Sequence, residues 1–285
     1  VSTHALAEPR VLEPVTVDDP VGFAALCDKI VAERGFRCRS YKERCLIRRI
    51  GVRLRATGVH TFDDYMAVLD RDPREWDRLL DALTINVTKF FRNWEVWESM
   101  AERVIPMLWE RPDDELRVWS AGASSGEEAY SIAALFHRHA EQLGELDRLG
   151  RVRILGTDID RDSLVAAARG TYHETAFADT PPELRERYFS AGYPAEVAPE
   201  LRALVTFEQR DLLRELPPDG AWHLIACRNV VIYFDRESQE DLFLRFHDAL
   251  APGGVLFLGK VETLLGPVRA LVTPMVQRDR IFRRA

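Results

Sequence analysis

The chain is short of several things, and each shortage removes a class of function. Its four cysteines, Cys27, Cys38, Cys45 and Cys227, fall at no CxxC or metal-ligand spacing. A disulfide scaffold and a metal site are therefore not expected, and a reducing, cytoplasmic compartment is. No apolar run approaches the ~20 residues of a membrane span and no charged-then-apolar leader opens the chain, so membrane insertion is not expected either. The chain opens at Val1 without a methionine, which suggests trimming. Net positive charge is lacking: acidic residues outnumber basic ones 46 to 39, and the formal balance of −7 argues against general nucleic-acid binding while leaving room for a local basic face. Internal repeats and low-complexity tracts are missing. What remains is an ordinary globular composition whose 285 residues suffice for one large α/β domain, or for a small domain joined to a large one.

Residues 1–17 are proline-interrupted and aperiodic, which predicts an extended lead-in. From residue 20 to 81 the apolar spacing is helical: Phe23, Leu26, Cys27 and Ile30, then Leu46, Ile47, Ile50 and Leu54, then Phe62, Tyr65, Met66 and Leu69. Helices this short stabilise one another only as a small bundle. The second is the informative one. Arg44, Arg48 and Arg55 fall along one line, and Lys42, Arg49 and Arg53 along another, so two basic rails flank its apolar stripe. They read either as a solvated face or as a platform for an acidic helix or an anionic surface.

The rest of the chain is organised around LRVWSAGASSGEEAYS, residues 116–131, where a strand runs into a small-residue turn and then a helix. Such a turn lets a ligand approach backbone N–H groups, as in the opening unit of a Rossmann-like nucleotide fold. Glu127 and Glu128 in the first helical turn would repel a pyrophosphate. A ligand with a sulfonium and an amino group but no phosphate suits an acidic mouth better, which makes S-adenosylmethionine the first candidate.

Alternation of strand and helix continues downstream. Residues 151–156 read as a strand ending near Asp158, an acid placed to accept from ribose hydroxyls, with Asp160 available to cap the next helix. The alternation lapses between Tyr172 and Asp211, where a small hairpin insertion is expected, with Leu204 to Phe207 entering the main sheet. Residues 222–227 form a strand that ends at Arg228-Asn229, followed by Tyr233, at the position where open α/β sheets place ligands. Residues 238–250 read as a helix, Ala251-Pro252-Gly253-Gly254 as a turn, 255–259 as a buried strand and the last residues as an antiparallel hairpin.

NVTKFFRN (86–93), VWSAGASSGEEAYSIA (118–133), GTDID (156–160), CRNVVIYFD (227–235) and LAPGGVLFLGKVE (250–262) together resemble the CheR-type chemotaxis-receptor protein-glutamate O-methyltransferases. The resemblance implies an α/β fold: a Rossmann-like S-adenosylmethionine methyltransferase sheet, seven-stranded and largely parallel, with an all-α N-terminal domain and a small inserted β-subdomain. The corresponding boundaries are 1–85 for a helical substrate-docking domain, 86–115 for a linker helix and 116–285 for the methyltransferase domain, with 188–210 as the insertion. By motif position, Asn86, Thr88, Arg92, Ala121, Gly122, Glu128, Asp158, Asp211, Leu212, Arg228 and Asn229 would line the cofactor site. Arg92 and Tyr233 would stand nearest the transferred methyl. Arg44, Arg48, Arg49, Arg53 and Arg55 would dock the cytoplasmic helical domain of chemoreceptors, the enzyme acting as a cytoplasmic monomer with no nucleic-acid partner.

The chemistry of these residues agrees. A glutamate carboxylate is already ionised at neutral pH, so alignment rather than a general base is what methyl transfer requires. Departures are visible: Asp211 stands where the family often has Asn, and Val261 replaces a usual serine in GKVE. The short insertion suggests that the substrate is met through the basic helix without the family's receptor-tail tether. Two alternatives remain open. A methyltransferase for another acidic protein or a small acid would be indifferent to neutralising Arg48 and Arg49. A non-catalytic S-adenosylmethionine-binding regulator would tolerate Arg92→Ala and Tyr233→Phe.

Overall fold

A computed structural model describes residues 19–84, 88–215 and 221–285. The chain divides into two compact units, Val1–Leu83 and Thr84–Ala285. The lead-in, residues 1–17, and Asn86 lie outside the described residues.

The first unit is a bundle of α1 (Pro20–Arg34), α2 (Glu43–Thr57), α3 (Phe62–Arg71) and α4 (Pro73–Leu83). Its boundaries follow from capping chemistry. Asp19 accepts from the Gly22 N–H at 2.9 Å and Thr61 from the Asp64 N–H at 3.1 Å, while Gly35 and Gly58 end α1 and α2 in the left-handed conformation. The expected stripes point inward, with Leu26, Cys27 and Ile30 from α1, Leu46, Ile50 and Leu54 from α2, and Phe62, Tyr65 and Leu69 from α3 all buried. A carboxylate joins them: Glu75 of α4, 1% exposed, accepts two bonds from the Arg53 guanidinium, at 2.9 and 2.8 Å, and one from the Tyr65 hydroxyl at 2.8 Å.

The second unit begins with α5 (Trp94–Ser99), which continues through a π-helical segment (Met100–Val104) into α6 (Ile105–Trp109). The sheet then alternates with helices: β1 (Leu116–Ala121), α7 (Glu127–Leu143), β2 (Val152–Asp158) and α8 (Arg161–Arg169). After β3 (Thr171–Tyr172), α9 (Pro182–Tyr188), β4 (Ala195–Glu196) and α10 (Pro199–Arg202) come β5 (Val205–Gln209) and β6 (Trp222–Cys227). The chain closes with α11 (Arg236–Ala249), β7 (Leu250–Leu258), β8 (Val272–Val276) and β9 (Ile281–Arg284).

Among the described residues the main sheet is seven-stranded, in the order β5-β2-β1-β6-β7-β9-β8. Strands β5, β2, β1, β6 and β7 pair in parallel, and β9 and β8 add an antiparallel edge. Central parallel strands are covered on both faces, which explains why WHLIAC of β6 is buried at every position. From β1 the chain winds outward through β2 to β5, then crosses back to β6 and β7. The order reverses between β1 and β6, and beyond the carboxyl ends of strands at such a reversal open α/β sheets bind ligands in a crevice.

Three local expectations change. The expected turn at Ala251–Gly254 falls within the span of β7 as a bulge: Leu250 pairs with Trp222 and Val255 with Leu224, and Gly253 between them has φ of 70°. The small sheet takes Thr171–Tyr172 from upstream of the expected 188–210 insertion and pairs it with Ala195–Glu196, while Val205–Gln209 joins the main sheet beside β2, as expected of Leu204 to Phe207. Two of the five expected docking arginines are turned inward within the helical unit: Arg53 holds Glu75, and Arg49 donates to the Ala82 carbonyl at 2.8 Å.

Candidate functional site

The turn from β1 to α7 lies at the carboxyl end of β1, and four of its N–H groups are engaged within the protein. Gly122 and Ala123 donate to the Thr157 carbonyl at 2.8 and 2.9 Å, Ser124 to Asp158 Oδ2 at 2.8 Å and Gly126 to the Ala123 carbonyl at 2.9 Å. The small residues serve close packing instead. A Cβ on Gly122, whose φ is 82°, would lie 2.5 Å from Val230 Cγ2; one on Gly126 would lie 2.9 Å from both Ala167 and Phe207. Ala121 is fully buried at the end of β1.

Glu127 and Glu128, expected at an acidic mouth, are buried to 4% and 9% exposure. Burial pushes both carboxyls up to about 7. Glu127 is opposed only by the Ser125 hydroxyl and its own backbone. Glu128 is opposed by Arg228, whose Nη1 stands 4.0 Å from Oε2, and by Ser120, whose hydroxyl donates at 2.8 Å. Asp158, at the end of β2, is buried as well, and its carboxyl is raised by that burial against the pull of the N–H groups of Asp160 and Ser124. Oδ1 takes the Asp160 N–H at 3.0 Å, so the residue meant for a ribose also braces the β1 turn. Asp160 caps α8 through the N–H groups of Asp162 and Ser163.

Arg228 follows β6 directly. Its guanidinium lies between the rings of Trp97 and Phe257, at 5.0 and 4.7 Å, and Nη2 donates to the Arg92 carbonyl at 2.8 Å. The Arg92 carbonyl also accepts from Trp97 Nε1 at 3.1 Å. Around Arg92 the backbone is pinned at each neighbour. Phe90 donates to the Ala176 carbonyl, Phe91 to Ser131 Oγ at 3.0 Å and Asn93 to Asp179 Oδ2 at 3.0 Å. Phe91 and Asn93 both carry positive φ, 51° and 62°; such strain persists only where surrounding structure over-determines it. Below the junction Phe90 packs against Tyr172, Phe177 and Phe189. Arg92 and Thr88 are half-buried.

Tyr233 closes a 3-10 turn, Val231–Tyr233, that follows Asn229, a residue with φ of 60°. Asp211 comes just after β5, its Oδ1 taking the Leu213 N–H at 2.9 Å, and Leu212 is buried.

The sequence motifs FFRN, SGEEAYS and CRN are thus drawn together by one guanidinium, while Asp211 and Leu212 flank the end of β5. The docking arginines belong to the other unit. Three residues went unassigned in the sequence. Ser131 lies inside the SGEEAYS motif and could have been flagged there. Asp179 sits where the strand-helix pattern lapses and gave no signal. Glu262 ends the GKVE stretch; 1% exposed, it accepts from the N–H groups of Val230, Val231 and Gly259 at 2.9, 3.0 and 2.5 Å. Val261 beside it is 68% exposed.

The ligand class follows from the charges. Glu127, Glu128, Asp158 and Glu262 are buried at this end of the sheet against one fully buried guanidinium, that of Arg228. The Gly122, Ala123, Ser124 and Gly126 N–H groups are internally bonded and so are not offered to a phosphate, and the acidic surplus favours a cationic ligand. Glu128 suits an ammonium, and Asp158 a pair of hydroxyls. Among the described residues no cluster of His, Cys, Asp or Glu could hold a metal ion.

A largely parallel sheet with this switch point and buried acids at its carboxyl end fits an S-adenosylmethionine-binding methyltransferase. The chain belongs to the CheR methyltransferase family: residues 86–277 match the CheR methyltransferase, SAM binding domain, and residues 22–84 the CheR methyltransferase, all-alpha domain. The chemotaxis protein methyltransferase of Salmonella typhimurium is 36% identical over 255 residues, covering 87% of this chain and 85% of its own length. That of Klebsiella aerogenes is 37% identical over 248 residues, 84% of this chain and 82% of the relative. That of Listeria innocua is 36% identical over 228 residues, 80% and 84% respectively. Among the described residues no helix is long and apolar enough to cross a membrane.

Proposed function

We propose that this methyltransferase acts in chemotactic adaptation, converting glutamate side chains on the cytoplasmic helical domain of chemoreceptors into methyl esters. The observation that carries the reading is the Arg228 guanidinium. By bonding the Arg92 carbonyl and facing Glu128, it joins the loop of one proposed catalytic residue, the turn of the other and the acidic end of the cofactor crevice. Bound S-adenosylmethionine supplies an electrophilic methyl on a sulfonium.

The protein's task is then alignment. Glu128 would hold the ammonium of the cofactor, Asp158 its ribose hydroxyls, and Asp211 its adenine amino group or a ribose hydroxyl, with the backbone at Arg228 and Asn229 completing the wall. The incoming glutamate is already a carboxylate, so no side chain has to remove a proton. Arg92 offers fork-shaped donors and Tyr233 a hydroxyl to orient one carboxylate oxygen. Their grip must stay loose enough to leave that oxygen nucleophilic, which suits half-buried donors better than a closed ion pair.

Docking falls to α2. With Arg49 and Arg53 engaged inside the bundle, the exposed line Arg44, Arg48 and Arg55 remains, with no ion-pair partner for any of the three among the described residues. That line matches an acidic receptor helix. The test is to incubate the chain with methyl-labelled S-adenosylmethionine and a receptor cytoplasmic fragment. Label released as volatile methanol by mild alkali is the expected result; alkali-stable label would overturn the ester reading.

A further inference from the structure

Glu262 has no part in the scheme above, yet its surroundings are unusually specific. It is 1% exposed, and both carboxylate oxygens are committed to backbone N–H groups from two different segments. Oε1 accepts from Val230 and Val231, and Oε2 from Gly259 at the end of β7. Burying a carboxylate is costly unless its lone pairs are met, and here three N–H groups meet them. The two segments it ties are the turn after β6, which carries Arg228, Asn229 and Tyr233, and the turn after β7.

Two further contacts show what the tie sets. The Val230 and Val231 N–H groups open the 3-10 turn, which closes when the Tyr233 N–H donates to the Val230 carbonyl at 3.2 Å and the Phe234 N–H to the Val231 carbonyl at 3.1 Å. The carboxylate therefore caps the turn on which Tyr233 stands. Val230 also presses against Gly122, where a Cβ would come within 2.5 Å of its Cγ2. Fixing the Val230 backbone thus fixes the wall packed on the cofactor turn. Gly259 is built for the same purpose: a Cβ there would lie 2.7 Å from Glu262 Oε2 and 2.8 Å from the Asn229 nitrogen.

We infer that Glu262 is a positioning residue for methyl transfer, its carboxylate setting the turn that aims Tyr233 and seats Val230 against Gly122. The inference rests on the proposed role of Tyr233. A glutamine at this position keeps the shape but faces an N–H with an NH₂, so one of the two segments loses its acceptor. Misplacement of an aligned group by about 1 Å can lower turnover on the order of 100-fold while the fold persists.

The test is a double-variant cycle on the full chain: wild type, Glu262→Gln, Tyr233→Phe and the pair, each measured for thermal midpoint, S-adenosylmethionine affinity and kcat for a receptor fragment. The expected result is that each single change lowers kcat at least tenfold and that the pair is no slower than the slower single variant. Losses that multiply in the pair, or an unchanged kcat in Glu262→Gln beside a damaged Tyr233→Phe, overturn the inference and leave the proposed chemistry standing. An unchanged kcat in Tyr233→Phe overturns both. Should Glu262→Gln fail to fold, the same cycle with Gly259→Ala replaces it, and multiplying losses there overturn the inference equally.

Discussion

Burial lifts the Glu128 carboxyl to about 7, with Arg228 and Ser120 pulling the other way, so near neutral pH a large fraction of the side chain is protonated. A ligand that sets an ammonium against it favours the ionised form and lowers that value in the complex. Binding is then linked to proton release. The sign follows: affinity for S-adenosylmethionine rises as pH climbs from 6 through about 7 and levels off once Glu128 is ionised without ligand. The window closes near the ~8 at which an α-amino group begins to lose its own proton. Calorimetry in buffers of different ionisation enthalpy should show release of a fraction of a proton at pH 6.5, absent in Glu128→Gln; a flat affinity between pH 6 and 7.5 would reject the assignment. Asp158 and Arg92 should separate binding from transfer. Asp158→Ala removes the ribose acceptor and the brace on Ser124, so its affinity for S-adenosylmethionine should fall by roughly 100-fold or more. Arg92→Ala should keep affinity within a few-fold and lower kcat about 100-fold. Unchanged calorimetric affinity in Asp158→Ala would reject the ribose role. These side chains were readable because each sits inside a short motif, FFRN, SGEEAYS or GTDID. Glu262 was not, because its function depends on N–H groups of Val230 and Val231, some thirty residues upstream, which only the pairing of β6 with β7 brings near.

At the scale of elements, α2 shows where periodicity stops being informative. Its buried stripe of Leu46, Ile50 and Leu54 follows from spacing alone. Which arginines stay in water does not, because that depends on Glu75 of α4 reaching Arg53. Burial raises the Glu75 carboxyl, but the Arg53 and Tyr65 bonds outweigh it and the net shift is downward. Its contribution to stability is therefore present above pH ~4.5 and lost as pH falls through the lower folded value. Arg53→Ala leaves that carboxylate buried with less support and should cost on the order of 3 kcal/mol in urea unfolding. Arg48→Ala, on the exposed line of the same helix, should stay within about 0.5 kcal/mol. Equal losses from the two would mean that the Arg53 pair contributes no more than a surface residue. The β1 turn teaches a similar lesson. Its small residues read as a turn open to a ligand, but the N–H groups of Gly122, Ala123 and Ser124 are used by Thr157 and Asp158, so the glycines act through close approach within the protein. In β7, Pro252 and Gly253 read locally as a turn, and they form the bulge between the paired positions Leu250 and Val255. The alternation of strands and helices was legible because buried parallel strands write themselves as apolar runs; the two-residue strands β3 and β4 are too short to leave any period.

The whole molecule carries a net charge of −7, so at long range it repels an acidic receptor, and any attraction has to come from a local concentration of cations. On α2 that concentration is the line Arg44, Arg48 and Arg55, exposed and unneutralised by neighbours among the described residues. Charges in water are screened over about 10 Å at 0.1 M salt and about 3 Å at 1 M. Docking that depends on three exposed guanidiniums should therefore weaken steeply with ionic strength, while a cofactor crevice whose charges are buried should respond little. Raising salt from 50 to 300 mM should increase KM for a receptor fragment several-fold, with S-adenosylmethionine affinity nearly constant. Replacing all three arginines by alanine should raise KM at low salt by about tenfold or more and flatten its salt dependence, leaving kcat at saturating receptor within about twofold, as expected of the proposed docking role. If KM proves independent of salt in both proteins, the charge on α2 is only a solvated surface, and recognition of the acidic substrate has to be sought in the methyltransferase unit.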